Sequence, residues 1–454
     1  MNRNVALIVL DSVRTDVFRE RASRLQSMAD CSVRRCYAAS HYTLPSHASM
    51  FTGDLPSIHG VTSKNPTYAG LSRTDTFLAE LPHTSVGVTA NGGFLSADRR
   101  FDTFFDRLVS FNGSAVRFPS GLDPADFVKS TEEQGIAKIR SYIGAAIDNG
   151  SLGASLGNAL FTKLNDATTG TAFPRFGDYG ANAVAETAVD VVESEPEPVF
   201  LFTNLIDAHG PLEAVRGWGS AVANSWYSNR HDSWDVANGD RPAEEFESYL
   251  EIYREIYADA VEYLDRRIAA FVRTLKARTD RDTTVVVTAD HGEELGYPGE
   301  AGFGHRDLSA PILDVPLVII NAPDGELTSP MSHLDLPELL VALATEAQIP
   351  DLSREYVPAE KHGHIKTPEQ KREYWNRSVR AVIDGTKMYR WDTLGASERF
   401  ELEVSAGNLT ADDITIPSWA KEQFPVGFNE VMTGDDVNIE ESDVSARLRD
   451  LGYL

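Results

Sequence analysis

Cysteine is almost missing: Cys31 and Cys36 are the only two in 454 residues, too few for a disulfide framework or a structural zinc site. They read as buried thiols in an early strand. Lysine is also scarce, with Arg outnumbering it roughly three to one, and the 42 basic residues face 68 Asp and Glu. The resulting charge of −26 and pI near 4.8 exclude a general nucleic-acid or anionic-membrane surface. No apolar run nears the roughly 20 residues of a membrane span, so no integral membrane segment is expected. The chain enters its first apolar run at residue 5 without a basic start or small-residue cleavage site, which predicts a cytoplasmic protein with no signal peptide. Internal repeats and long low-complexity tracts are absent from the sequence.

What is present is a series of strand-length apolar runs that end in polar residues. Residues 4–10 end at Asp11, and residues 283–289 end at Asp290-His291. Residues 198–205 lead into Asp207-Ala208-His209-Gly210-Pro211, and residues 85–90 lead into Asn91. These runs alternate with helical patterns over 180–192, 249–275 and 337–345. The predicted fold is therefore α/β, a mainly parallel sheet covered by helices on both faces. In such sheets ligands bind beyond the carboxyl ends of the strands, where Asp11, Asp290 and His291 would meet. A carboxylate and an imidazole side by side offer a hard oxygen and a nitrogen to one divalent ion. The stripe of Tyr253, Ile256, Tyr257, Ala260, Leu264 and Ile268 has helical spacing and reads as core packing, not a ligand platform.

The segment His41-Tyr42-Thr43-Leu44-Pro45-Ser46-His47 precedes residues able to continue a helix up to Gly53. Pro45 suits a first helical turn and Gly53 a helix end. Thr43 would then lie at a helix N-terminus, where free N–H groups and the macrodipole favour an oxyanion. A hydroxyl at this place reads locally as a helix cap as well as a nucleophile.

Together these segments resemble the sulfatase branch of the alkaline phosphatase superfamily. The resemblance rests on the strand ending in Asp11, Thr43-x-Pro-Ser with Thr52-Gly53, Asp207-Ala208-His209-Gly210-Pro211, Thr288-Ala289-Asp290-His291-Gly292-Glu293, Gly304-His305, Ser332-His333-Leu334-Asp335, and the closing Leu448-Arg449-Asp450-Leu451-Gly452-Tyr453-Leu454. It implies one divalent metal ion (Mn²⁺, Zn²⁺ or Ca²⁺) held by Asp11, Asp290 and His291, with the Thr43 oxygen as a further ligand. It also implies His209 and His305 as groups that contact the transferred group or protonate the leaving oxygen. His47 stands where many sulfatases place an Arg. Asn91, Asp207 and Arg306 are weaker substrate-binding candidates, and His59 and His333 read as structural. A second metal on Asp207, His209 and His305, as in nucleotide pyrophosphatase-like relatives, is the less favoured arrangement.

Two departures from the sulfatase pattern shape the expected chemistry. Sulfatases oxidise a Cys or Ser at the Thr43 position to formylglycine; Thr cannot give that aldehyde, so the unmodified hydroxyl is the expected nucleophile. Ser12 replaces a second Asp, and Asp290-His291 in place of Asp-Asn leans toward phosphodiester and phosphonate chemistry. The resemblance thus implies a metal-dependent hydrolase of a small-molecule or glycan sulfate ester or phosphodiester, acting through a covalent Thr43 intermediate. The alternatives are a phospho- or sulfo-group transferase acting on a glycan or polyol, and an inactive binding protein that keeps the fold.

The expected organisation is a catalytic domain over 1–349, then a linker and small C-terminal α+β sheet subdomain over 350–454, with a hairpin at 378–391 turning on Asp384-Gly385. Irregular insertions at about 111–176 and 217–241 would form a lid or rim, the second carrying Trp218, Trp226 and Trp234. The acidic, Arg-rich composition resembles that of proteins from a high-salt cytoplasm, where carboxylates keep a surface hydrated.

Overall fold

The computed structural model describes residues 3–111, 116–168, 171, 173–219, 233–238, 246–297, 300, 302–322, 327, 329–365, 367, 369–402 and 412–431. In chain order the principal elements are β1 (Asn4–Leu10), β2 (Cys31–Ser32), α1 (Thr43–Thr52), β3 (Thr84–Thr89), β4 (Arg107–Ser110), α2 (Gly135–Asp148), α3 (Leu152–Thr168), α4 (Ala181–Ser194), β5 (Val199–Leu205), α5 (Glu247–Arg278), β6 (Thr283–Ala289), β7 (Leu317–Ile320) and α6 (Leu336–Thr345). The first seven strands form one sheet in the order β2-β7-β6-β1-β5-β3-β4. Its centre is parallel: Leu7 pairs with Phe202 on one side and Val286 on the other. Only β7 runs against its neighbours β6 and β2. Every residue of β1 and β5 is buried, which explains why these strands read as unbroken apolar runs rather than alternating ones.

Alternation along β5 shows how the two faces are covered. Thr203 and Leu205 point with Ile8 toward Ala181 and Val184 of α4 and Ile268 and Phe271 of α5. Phe200 and Phe202 point the other way, toward Phe77 and toward Phe51 of α1. Phe51 lies among Phe77, Phe101, Phe104, Phe105 and Phe202, with ring centroids 5.4–5.7 Å apart. This ring cluster is the bed on which α1, and so Thr43, rests. Gly53 closes α1 at φ 77°, a left-handed conformation that only glycine adopts without strain.

A second sheet follows. Strands β8 (Tyr356–His362), β9 (Ser378–Asp384), β10 (Lys387–Asp392), β11 (Ser397–Glu401) and β12 (Asp412–Asp413) pair antiparallel in that order. The expected hairpin is β9–β10, but Asp384 pairs with Lys387, so the two turn residues are Gly385 and Thr386. Strand β8 lies in the stretch expected to be a polar linker. Val357, Ala359, Val379 and Ala381 pack on Tyr37, Leu308 and Leu313 of the main body.

The insertion at 111–176 is helical, not irregular: α2, α3 and a short helix at Pro124–Lys129 make up most of it. The cysteines occupy two short strands, Cys31–Ser32 and Cys36–Tyr37; Cys36 is buried and Cys31 only partly so. Trp218 stacks on Tyr263 at 5.0 Å, a loop anchor. Trp226 and residues 448–454 lie outside the described residues. Among the described residues no helix is long and apolar enough to cross a membrane.

Candidate active site

Strands β1, β3, β5 and β6 run side by side and end together, so their last residues meet at one edge of the sheet. Asp11 and Asp290 follow the adjacent strands β1 and β6, and each is wholly buried. Ligand atoms of Asp11, Asp290 and His291 lie within 4.8 Å of one another, and among the described residues no other His, Cys, Asp or Glu group gathers in this way. Asp207, His209 and His305 are not gathered within that distance.

Backbone geometry aims the two carboxylates. Ser12 turns into the left-handed region at φ 62°, and its N–H donates to Asp290 Oδ1 at 3.0 Å. The His291 N–H donates to the same oxygen at 2.9 Å. Asp11 receives the Ser12 hydroxyl on Oδ1 at 3.1 Å and Asn91 Nδ2 on Oδ2 at 3.1 Å. Burial, and then the Asp11 charge beside it, pushes the Asp290 carboxyl well above the usual carboxylate range. His291 Nδ1 lies 2.8 Å from the Gly292 carbonyl, so Nδ1 carries the proton and Nε2 presents a lone pair. Burial holds this imidazole down to about 4, and hence neutral. Gly292 is required here, because a Cβ would stand 2.1 Å from the Pro311 carbonyl oxygen.

Thr43 is the first residue of α1 and is completely buried. The N-cap is Tyr42, with no side-chain cap hydrogen bond, and Thr43 Oγ1 has no hydrogen-bond partner. The capping reading of Thr43 therefore fails; its hydroxyl instead borders the Asp290 carboxylate. One turn on, His47 Nδ1 donates to the Thr43 carbonyl at 2.8 Å and stands 3.9 Å from Asp290 Oδ2. Its ring lies edge-on to Phe202 at 5.6 Å, and burial lowers it to about 4. A neutral imidazole cannot supply the positive charge of the Arg found there in many sulfatases.

The donor set fits a divalent cation. Asp290 Oδ2, His291 Nε2 and Thr43 Oγ1 are buried without hydrogen-bond partners, an arrangement costly to folding unless a ligand completes it.

His209 and His305 border this group. His209 Nε2 is 4.0 Å from Asp11 Oδ1, and its ring lies 5.6 Å from that of His305. His305 stacks on Tyr42 at 5.9 Å and tilts over His291 at 4.6 Å. Asp207 turns back into the scaffold, accepting the Tyr179 N–H at 3.0 Å; burial and then Asp178 push its carboxyl well above the usual range. Arg306 lies over Trp234 at 4.3 Å. His59 and His333 are tied to Ser49 and Thr288, each at 3.1 Å, as structural residues are.

Several neighbours were not singled out from sequence. Glu293 is buried, takes the Tyr253 hydroxyl at 3.2 Å and is raised by burial to about 8; its place in the Asp290-His291-Gly292-Glu293 run was the available signal. A wall of rings continues from Tyr42 through His41, His364, Trp234 and Trp375, with neighbouring centroids 5.0–6.3 Å apart. Lys361 of β8 lies 5.8 Å from the Trp375 ring, wholly buried, with no hydrogen-bond partner for Nζ. No sequence signal marked His41 or Lys361.

A mainly parallel sheet with a buried Asp/Asp/His group at its carboxyl edge, facing a hydroxyl at a helix N-terminus, is the architecture of alkaline phosphatase-like hydrolases and transferases. A family model described as Sulfatase matches residues 3–345. The chain belongs to the sulfatase family, whose members typically depend on a metal. Among solved structures it is similar to the phosphonate monoester hydrolase SpPMH from Silicibacter pomeroyi, at 15% identity and TM-score 0.62 over 90% of each chain. It is also similar to BT1596, described as a 2-O GAG sulfatase, at 14% identity and TM-score 0.56 over 99% of this chain and 91% of that one. A third relative is the lipoteichoic acid synthase LtaP from Listeria monocytogenes, at 13% identity and TM-score 0.52 over 94% and 89%. No curated protein sequence matches the chain.

Proposed function

We propose that the chain is a metal-dependent hydrolase of a singly charged phosphodiester, phosphonate monoester or sulfate ester, with unmodified Thr43 as nucleophile. The observation that carries this reading is the buried, unpartnered Thr43 hydroxyl at the start of α1 beside the Asp11, Asp290 and His291 group. A divalent ion held by those three residues and Thr43 would supply Lewis acidity to the hydroxyl and offset charge on the transferred group.

The chain's own residues account for the rest. Free N–H groups at the start of α1 receive an equatorial oxygen of the transferred group. Thr43 Oγ1 gives up its proton to solvent and bonds to phosphorus or sulfur as the bond to the leaving oxygen breaks. His209, the more solvent-facing imidazole, gives the departing alkoxide its proton; His305, held neutral by burial, donates an N–H hydrogen bond to the transferred group. Water, giving a proton to the now unprotonated His209, then cleaves the Thr43 ester, and the released Thr43 oxygen regains a proton from solvent. His47 orients Thr43 through its carbonyl. Trp234, Trp375, Lys361 and Arg306 suit a leaving group with a ring face and a further acidic substituent, as a glycan has.

Turnover of matched aryl phosphodiester, phosphonate and sulfate in Mn²⁺, Zn²⁺ or Ca²⁺ tests the reading. Thr43→Ala should reduce kcat by about 10³-fold or more while leaving metal binding measurable, and His209→Ala should let a Thr43 ester accumulate to a level visible by mass spectrometry. Full activity in Thr43→Ala would sink the proposal. A second reading, group transfer, is favoured by the threonine, because an alkyl ester intermediate can be resolved by an acceptor alcohol. Formation of a new ester with added polyol, with little free phosphate or sulfate, would replace hydrolysis by transfer.

A further inference from the structure

The insertion between β4 and α4 is built inside out. On α2 and α3 the buried side chains are Tyr142, Ala146, Ser155, Asn158 and Asn165. Asn158 Oδ1 accepts the N–H groups of Arg117 and Phe118 at 3.0 and 2.8 Å, and its Nδ2 donates to the Phe118 and Leu122 carbonyls at 3.0 and 3.1 Å. Asn165 Oδ1 accepts the Phe176 N–H at 3.0 Å, and Ser155 Oγ the Leu122 N–H at 3.0 Å. These polar anchors fix the rotation of the hairpin. They leave Leu152, Leu156, Leu160 and Leu164 outward at four-residue steps along α3, and the neighbouring α2 exposes Ile136 and Ile139; Leu160 is 62% and Ile136 70% exposed.

A surface helix normally buries its apolar stripe and shows its polar one to water. Here the relation is reversed along α3, while α2 buries Tyr142 and Ala146 yet leaves Ile136 and Ile139 exposed, and the largest apolar patch of an ordinary monomer is only about 300–600 Å². Charge narrows the choice of occupant. Residues 135–168 contain two acids, Asp148 and Asp166, against Lys138, Arg140 and Lys163, in a chain of net charge −26. On this face a second strongly acidic molecule can settle with few carboxylates opposed. An anionic lipid surface would have to approach the acidic remainder of the molecule as well. Helices of 14 and 17 residues make a face about 26 Å long and two helices wide, of the order of the roughly 800 Å² per partner that a stable interface uses.

We propose that this face is an isologous dimer interface: the same hairpin of a second copy packs on it, the two leucine rows interdigitating as a four-helix layer. The inference does not depend on the chemistry at Thr43. Sedimentation velocity on the full chain, up to roughly 50 µM in about 0.1 M and about 2 M KCl, tests it. The wild type should be dimeric and associate more tightly in high salt, where repulsion between acidic copies is screened. Leu156→Glu/Leu160→Glu changes only outward positions; it should retain the circular dichroism spectrum of the wild type and associate roughly 100-fold more weakly, a loss of about 2.7 kcal/mol per mole of dimer. A wild type monomeric at every concentration and salt would overturn the proposal, as would a double variant that still dimerises. Co-flotation of a monomer with phosphatidylglycerol vesicles, lost in the double variant, would assign the face to lipid instead.

Discussion

His291 shows at the scale of one residue how backbone chemistry prepares an imidazole for the proposed cation. The Gly292 carbonyl takes its Nδ1 proton, so the remaining nitrogen is bare and the ring needs no proton loss to bind a cation. His291→Ala should therefore weaken divalent-metal affinity by two orders of magnitude or more, measured by calorimetry. Asp290→Asn removes one of two adjacent buried carboxylates. The metal-free variant should melt at or above the wild-type temperature, and added divalent metal should raise the melting temperature of the wild type but not of the variant. Lys361 makes a different prediction. Burial lowers its ammonium to about 7, so between that pH and its ordinary value the unfolded chain binds the proton that the folded chain has released. Stability should rise with pH across that window, by at most about 1.4 kcal/mol per pH unit, and Lys361→Met should flatten the rise in denaturant titrations. Asp11, Asp290, His291 and Thr43 were legible in the sequence because each ends an apolar run or precedes a helical Pro. Lys361 was not, since it stands in the alternation of β8 where a residue after Val357 and Ala359 should be apolar, and a lysine there reads as the strand leaving the core.

At the scale of the element, α1 is the piece on which Thr43 depends. Phe51 joins it to the sheet through its ring cluster, so Phe51→Ala should cost about 3–5 kcal/mol in chemical denaturation. Gly53→Ala should cost about 1–2 kcal/mol, because its φ is positive and a Cβ would press to 3.2 Å from the Leu334 carbonyl oxygen. The four strands bearing site residues and the helices α4, α5 and α6 were readable because their apolar residues face a core and repeat at the element's own period. The 111–176 insertion hid its helices for the opposite reason. Its leucine row has a helical spacing, but it lies among Gly, Ser and Asn, and the polar residues that usually signal a loop are the ones it buries.

At the scale of the whole molecule, charge dominates. With 68 acidic and 42 basic residues, the folded chain repels itself, and raising KCl from about 0.1 M to about 2 M shortens the Debye length several-fold. The melting temperature should climb across that range and level off once screening is complete; a flat or falling curve would remove the argument for a high-salt setting. The long helix α5 has a further consequence. Its Tyr253 hydroxyl donates to Glu293, beyond β6, at 3.2 Å. One turn later the Tyr257 hydroxyl donates to the Ser12 carbonyl, beyond β1, at 2.6 Å and accepts the Arg14 N–H at 2.9 Å. Two loops nearly 280 residues apart in sequence are thus gauged against successive teeth of a single rack. Whatever loosens one loop must work against the other, so removing the proposed metal should register as faster amide deuterium uptake along the middle of α5, a layer away from Asp11, Asp290 and His291.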